Sequence, residues 1–346
     1  MTNSAFADLP LPGAGPLCVE VTRGAVVESR HAVHAVVRDA AGGTVAAWGR
    51  ADRPTYPRSA IKALQAIPLV ESGAADAFGL SPAELALACA SHSAEAGHVA
   101  TARAWLERLG LGPQDLACGP QRPRREADFL ALVKQDRKPD RVMNNCSGKH
   151  LGMITLARHL GAPVAGYTEP DHPVQRAILR ALGEMAEVDL GQAPLGVDGC
   201  SAPNPVVPLG ALALAAARLA APDGLGPDRA RACRRLTGAM TAAPWMVGGT
   251  GKLDSVLMAA AAGRLWCKTG AEGAYLAFLP GPGLGIALKA EDGAGRAAEV
   301  ALIALLRGLG LLDGALGPAL APFARPPVTN RVDAVVGEVR LGHTAF

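Results

Sequence analysis

Strand-forming sequence stands at both ends of this 346-residue chain and helix-forming sequence fills the middle, an order that restricts the fold more than any single motif does. Leu17 to Thr22, Ala32 to Val37 and Thr44 to Trp48 carry alternating, β-branched patterns, the last two joined by a turn at Ala41-Gly42-Gly43. Near the other end, Ala274 to Phe278 and Gly285 to Lys289 flank the turn Pro280-Gly-Pro-Gly283. Strands joined by tight turns pair antiparallel. Between them, Ser81-Pro82-Ala-Glu84 reads as a capping box with proline at the first helical position, opening a helix to about Cys89. Periodicity predicts further helices over Gly97 to Leu109, Val174 to Glu187, Val207 to Ala220, Asp228 to Ala242, Leu253 to Ala262 and Arg296 to Leu311. The order predicts a layered α+β fold, in which strands from both terminal segments share one antiparallel sheet packed with helices. Residues from about 75 to 260 would form a largely helical part. No internal repeat is visible, and the Pro-, Gly- or Arg-rich stretches Gly119 to Arg125, Pro222 to Pro227 and Leu316 to Thr329 are expected to be loops, so residues 1–346 are expected to make a single domain.

Composition narrows the function classes. A net charge of +3 and 4% aromatic residues supply neither the basic field nor the stacking platforms that nucleic-acid binding uses. The apolar stretches Pro205 to Ala221 and Ala297 to Leu312 are interrupted by proline or charge and fall short of a bilayer span, so no membrane segment is expected. Met1 to Pro16 lacks the basic start and apolar run of a secretory signal. Seven widely spaced cysteines, an odd number, suggest reduced thiols and a cytoplasmic location.

Lysine usage points to chemistry. The chain has 7 lysines against 27 arginines, and three of the seven, Lys62, Lys149 and Lys268, stand close to serine, threonine or cysteine. Arginine fills almost any role for surface charge but cannot lose its proton, whereas a lysine amine can. In Ser59-Ala-Ile-Lys62 a spacing of three at a helix start puts hydroxyl and amine on one face. Burial and the positive helix end both favour a neutral amine, which could deprotonate the Ser59 hydroxyl. An exposed lysine at a helix start is the plainer alternative. Lys268-Thr-Gly270 precedes a strand, and a Lys-Thr-Gly strand beside a Ser-x-x-Lys helix is the arrangement of β-lactamases and penicillin-binding proteins. The Ser-Asp-Asn element of those enzymes is missing, while Ser91-His92-Ser93 offers an intermediate hydroxyl; His92 is either a base or a packed histidine. Asn144-Asn-Cys146-Ser-Gly-Lys149-His150, read as a turn, is the densest polar cluster. With Cys200 it could supply two sulfurs and a nitrogen to zinc, leaving one tetrahedral position open, although two unrelated free cysteines is the simpler reading. Gly248-Gly-Thr-Gly251-Lys252 lacks the first glycine of a phosphate loop and is expected to be a loop beside the site.

Taken in order, Arg58-Ser-Ala-Ile-Lys62, Cys89-Ala-Ser91-His92-Ser93, Asn144-Asn-Cys-Ser-Gly-Lys149-His150, Gly166-Tyr-Thr-Glu-Pro-Asp-His-Pro173 and Asp198-Gly-Cys200-Ser-Ala-Pro203 resemble the rhizobial-type, class 3 L-asparaginases, a family similar to serine β-lactamases and glutaminases. The resemblance spans roughly Val21 to Gly293. It implies two Ser–Lys tandems, Ser59 with Lys62 and Ser91 with Lys268, and a zinc ion on Cys146, Lys149 and Cys200 with a water completing the site. It also implies that Asp198 orients a water or the substrate L-asparagine, and that the protein is a homodimer; His92 and Arg58 are further candidates for substrate binding. The expected reaction is hydrolysis of L-asparagine to L-aspartate and ammonia. A serine hydrolase of the β-lactamase type and a non-enzymatic zinc or redox protein are the alternatives.

Overall fold

The computed structural model describes residue 6, residues 9–314 and residues 316–346, so part of the stretch read for a secretory signal lies outside the described residues. The chain divides into two compact units, one made of residues 1–60, 207–221 and 260–346 and the other of residues 61–206 and 222–259.

The first unit is built on an eight-stranded antiparallel sheet that contains strands from both ends of the chain. Its strands are β1 (Leu17–Arg23), β2 (Val26–Asp39), β3 (Thr44–Trp48), β4 (Trp266–Thr269), β5 (Ala274–Leu279), β6 (Leu284–Ala290), β7 (Pro327–Thr329) and β8 (Val335–Ala345). They run in the order β7-β8-β1-β2-β6-β5-β4, with β3 also on β2. The expected α+β class holds. The 14-residue β2 starts earlier than its alternation suggested, because residues 26–33 pair with β1 while residues 33–39 pair with β6. The sequence reading did not place the strand Val335–Ala345, nor two elements just before it. Leu316–Ala324 is a helix despite Pro322, and Pro327–Thr329 is a strand, where a loop was expected. Burial of Leu316 and Leu320 outweighs the turn-like composition there.

Helix Leu209–Ala220 crosses this sheet at Gly285. A Cβ on Gly285 would lie 2.1 Å from Ala213 O and 2.2 Å from Ala217 N. Backbone on both sides cannot yield cheaply, so Gly285→Ala should cost about 3 kcal/mol or more, read as a clear fall in the midpoint of thermal unfolding. A Gly285→Ala protein as stable as the parent would show that this crossing is not as tight as described.

The second unit is mostly helical. The predicted capping box is present: Ser81 Oγ accepts from Glu84 N at 3.3 Å, and Ser81 N donates to Glu84 Oε2 at 2.8 Å. The helix it opens, Pro82–Ala88, delivers Ser91 two residues past its C-cap, Cys89. Ser147–His159 is a helix where the sequence reading placed a turn, because buried Ser147, Lys149 and His150 mask its apolar period. It passes so close to the end of Pro82–Ala88 that a Cβ on Gly148 would lie 2.2 Å from Leu87 O. Asp198-Gly-Cys200 is the turn of a small hairpin, Leu195–Val197 with Pro203–Pro205.

Among the described residues no helix is long and apolar enough to cross a membrane. All seven cysteines are free and buried.

Candidate active site

In the helical unit five of the chemistry-bearing side chains converge. Lys62 opens the short helix Lys62–Gln65 and is 0% exposed. Its Nζ lies 2.5 Å from Ala90 O, 3.1 Å from Ser91 Oγ and 3.0 Å from Cys146 Sγ. A carbonyl takes one N–H, the sulfur takes a second, and the third tetrahedral direction faces the Ser91 hydroxyl. In the neutral amine that direction is a lone pair able to accept the hydroxyl proton. The sequence-based pairing joined Lys62 to Ser59; the observed partners of Lys62 include Ser91. Cys146 is the N-cap residue of helix Ser147–His159, which places Lys149 in its first turn. Lys149 Nζ donates to Cys200 Sγ at 3.1 Å.

Cys146 Sγ donates to Asn145 Oδ1 at 3.0 Å. The neighbouring Cys146, opposed by burial and helped by Lys149 and Lys62, pulls the Cys200 thiol down to about 4. Cys200, together with burial, pushes Cys146 up to about 12. Cys200 is therefore the readier thiolate of the two. Burial lowers the Lys149 amine, yet Cys200 and Cys146 more than reverse this and hold it above the ordinary lysine range.

Cys146, Lys149 and Cys200 are a credible zinc set by donor chemistry. Two tetrahedral zinc ligands of nitrogen and sulfur stand about 3.6 Å apart, and Nζ and Sγ here already converge to 3.1 Å. An ion would displace an amine proton of Lys149 and the Cys146 thiol proton. Among the described residues no three His, Cys, Asp or Glu side chains form such a set, so the amine is needed to complete it. Asp198, in the same hairpin turn as Cys200, is partly exposed and acts electrostatically on Lys149.

His92 adjoins Ser91 and is fully buried. Its Nδ1 accepts from Ala94 N at 3.1 Å, so Nε2 carries the proton and donates to Ser147 Oγ at 2.9 Å. Burial, with His98 and Lys62 nearby, holds it well below the usual imidazole range. His92 is therefore a packed, neutral donor. His98 and His34 are likewise lowered, burial being the leading cause. Because these groups bind a proton more weakly when folded, the stability they contribute is complete above pH ~6.5, the ordinary histidine value, and is lost as pH falls below it. The unfolding midpoint should drop between pH 7 and pH 5, and His34→Gln with His98→Gln should flatten that dependence; an unchanged slope in the double variant would contradict it.

The sheet unit holds Arg58, Ser59 and Lys268. Arg58 opens a 3₁₀ turn, Arg58–Ile61, with φ of 53°, a left-handed conformation that costs energy outside glycine. Lys268 lies on β4, is 0% exposed, and its Nζ donates to Thr269 O at 2.7 Å. Two residues on, Gly270 sits against the turn that carries Ser59: a Cβ there would lie 2.7 Å from Pro57 O and 3.0 Å from Ala60 N. The glycine of Lys268-Thr-Gly270 is thus what lets that strand end touch the serine's backbone.

Sequence reasoning missed Tyr167, Ser147 and the cluster around Glu95. Tyr167 OH lies 2.6 Å from His150 Nδ1 and accepts from Ala117 N at 2.8 Å. Tyr167 stands inside the Gly166 to Pro173 motif, which was the available signal.

A layered antiparallel α+β protein with buried serine, lysine and cysteine side chains has the outline of an amide- or ester-cleaving enzyme. The L-asparaginase II family matches residues 19–341, and the chain belongs to that family. None of the curated proteins compared is similar enough to match. Among solved structures, Mglu in its native form is 16% identical over 82% of this chain with a TM-score of 0.45. This chain spans 65% of that structure's length. A β-lactamase from Mycobacterium bovis is 15% identical over 84% of this chain and 95% of its own, with a TM-score of 0.41. A class C β-lactamase mutant is 16% identical over 80% of this chain and 91% of its own, also at 0.41.

Proposed function

We propose that the protein hydrolyses the side-chain amide of L-asparagine, giving L-aspartate and ammonia, by Ser–Lys nucleophilic catalysis. The observation that carries this reading is the fully buried Lys62 amine, 3.1 Å from Ser91 Oγ. In this scheme the Ser59 oxygen attacks the amide carbon as its proton passes by way of the Ser91 hydroxyl to the Lys62 amine. The left-handed turn before Ser59 and the tight seating of Gly270 against its backbone support Ser59 as the attacking residue. Collapse of the tetrahedral species breaks the C–N bond, and Lys62, with Ser91 as relay, returns the proton to the departing ammonia. Water then attacks the acyl-serine, and its proton restores the serine. Lys268 is assigned to proton transfer in that second half, and Asp198 and Arg58 to binding; His92, expected from the sequence to bind substrate, is not so assigned because both its ring nitrogens are engaged by Ala94 and Ser147.

Cys146, Lys149 and Cys200 would hold Zn²⁺, which when bound supplies a Lewis-acid contact for a polar group of the substrate. The protein is proposed to act in the cytoplasm as a homodimer, a state that light scattering in solution would check.

Ammonia release from L-asparagine, measured beside L-glutamine and with and without chelator, tests the reading. Turnover of asparagine is expected; no ammonia from either amino acid, with covalent labelling by penicillin instead, would replace it with the β-lactamase-type alternative. Ser59→Ala should lose turnover almost completely, and activity near that of the parent in this variant would reassign the nucleophile.

A further inference from the structure

Side chains that the proposed mechanism leaves unused tie the segment Ser91 to Ser93 to residues 245–251, where the short helix Pro244–Gly248 runs out into a loop. Ser91 N donates to Val247 O at 2.9 Å, and Ser93 Oγ donates to Gly248 O at 2.8 Å. These two bonds fix the backbone on either side of His92. A buried carboxylate is one of the groups that hold this segment, beside Ser255 Oγ, which accepts from Gly249 N at 3.0 Å. Glu95, 5% exposed, accepts from Thr250 N at 2.8 Å on one oxygen, and from Thr250 Oγ1 at 2.7 Å and Arg125 Nη1 at 2.7 Å on the other. Burial pushes its carboxyl up, but these donors together bring it below the usual carboxylate range, so it is charged.

Thr250 joins two routes to the same segment. Its hydroxyl has one proton, given to Glu95, and accepts from Trp245 Nε1 at 3.1 Å. The Trp245 ring stacks on His98 at 3.9 Å between centroids, and His98 stacks on His92 at 5.2 Å. Gly249, with φ of 107°, leaves the space Glu95 occupies, since a Cβ there would lie 2.4 Å from Glu95 Oε1 and 2.7 Å from Ser93 Oγ. Thr250 itself is exposed, so nothing in the packing of the core calls for its hydroxyl. A solvent-facing threonine wired to a buried carboxylate, and through it to the backbone amide of Ser91, fits a part in holding that serine.

We propose that Thr250, acting through Glu95 and residues 245–251, is a positioning residue that holds Ser91 at reaction distance from Lys62. The inference rests on Ser91 taking part in the proposed amide hydrolysis. Removing the hydroxyl breaks one of the two bonds between Thr250 and Glu95 and the bond from Trp245, which loosens the segment that presents the Val247 carbonyl to Ser91 N. A displacement on the order of 1 Å at a reacting group is enough to slow chemistry by about 100-fold.

Three variants test it: Thr250→Val, which keeps shape and removes the hydroxyl, Thr250→Ser, which restores it, and Glu95→Gln. Two readouts are needed. Hydrogen exchange followed by mass spectrometry on peptides covering Ser91 to Ser93 reports the clamp without reference to activity, and steady-state ammonia release reports its effect. Thr250→Val should exchange faster at Ser91 to Ser93 and at the 247–250 segment while the sheet peptides stay unchanged. Its kcat for asparagine should fall about 10- to 100-fold with KM within about twofold, and Thr250→Ser should regain most of it. Glu95→Gln should repeat the exchange pattern if it folds. Unchanged exchange at Ser91 to Ser93 in Thr250→Val overturns the proposal, as does a Thr250→Val kcat equal to that of the parent. Equal losses in the valine and serine variants, accompanied by global unfolding, would reduce Thr250 to a structural residue. A parent protein that releases no ammonia from asparagine would instead remove the activity reading, with the exchange data still deciding the clamp.

Discussion

Lys62→Arg is expected to lower ammonia release from asparagine by about 1,000-fold, the loss that goes with removing a general base, while the positive charge at that position is kept. The amine is 0% exposed, and all three of its directions are used, by Ala90 O, Ser91 Oγ and Cys146 Sγ. A guanidinium is planar, larger and permanently protonated, so it can neither fill that tetrahedral set of partners nor accept a proton. Because arginine could also disturb packing, Lys62→Met serves beside it: it keeps the length and apolar stem and drops the amine. Lys62→Met should unfold at a temperature closer to the parent's than Lys62→Arg does, and both should lose turnover. Activity within about tenfold of the parent in either would remove Lys62 from the mechanism.

The second large effect concerns metal. Purified protein is expected to contain one zinc ion per chain, and Lys149→Arg or Cys200→Ala should lower zinc affinity by more than about 100-fold, because a lost ligand costs at least what a lost outer-shell partner does. Competition with a chromophoric chelator measures this without any assay of turnover. Arginine is the telling replacement at 149, since it keeps the charge that now faces Cys200 Sγ at 3.1 Å and removes only the ability to ligate. A parent protein free of zinc after purification in zinc-supplemented medium would remove the Cys146–Lys149–Cys200 assignment and leave the Ser–Lys chemistry untouched.

The lysines show how much of the site could be read from the chain alone. Scarcity picked out Lys62, Lys149 and Lys268 by their neighbours, and these three are the buried ones, at 0%, 4% and 0% exposure. Lys134, Lys138 and Lys252 are exposed, and Lys289 is half-buried, donating to Glu272 O and Ala290 O. Residue type and local spacing are properties of the sequence, so a buried amine beside a hydroxyl leaves a mark there. Partner choice is a tertiary property. Nothing in Ser59-Ala-Ile-Lys62 reveals that the amine also meets Ser91 and Cys146, since that depends on where the helix Pro82–Ala88 ends and where Ser147–His159 begins. The same division holds for the fold. The hairpins around Gly42 and Gly283, both with positive φ, were legible because turn chemistry is local. The helix Leu316–Ala324 and the pairing of β8 with β1 were not, because the first depends on burying Leu316 and Leu320 and the second joins segments more than 300 residues apart.

That last pairing bears on how the protein comes off the ribosome. Leu17 is made long before Ala345, its partner in the sheet. Residues 61–206 and 222–259, which make up the helical unit, have all been synthesised before β4 at Trp266 is begun. The helical unit can therefore collapse during translation, in keeping with its shorter-range contacts. The sheet must wait with β1 open along one edge, and for that interval the nascent chain presents an unpaired strand to its surroundings.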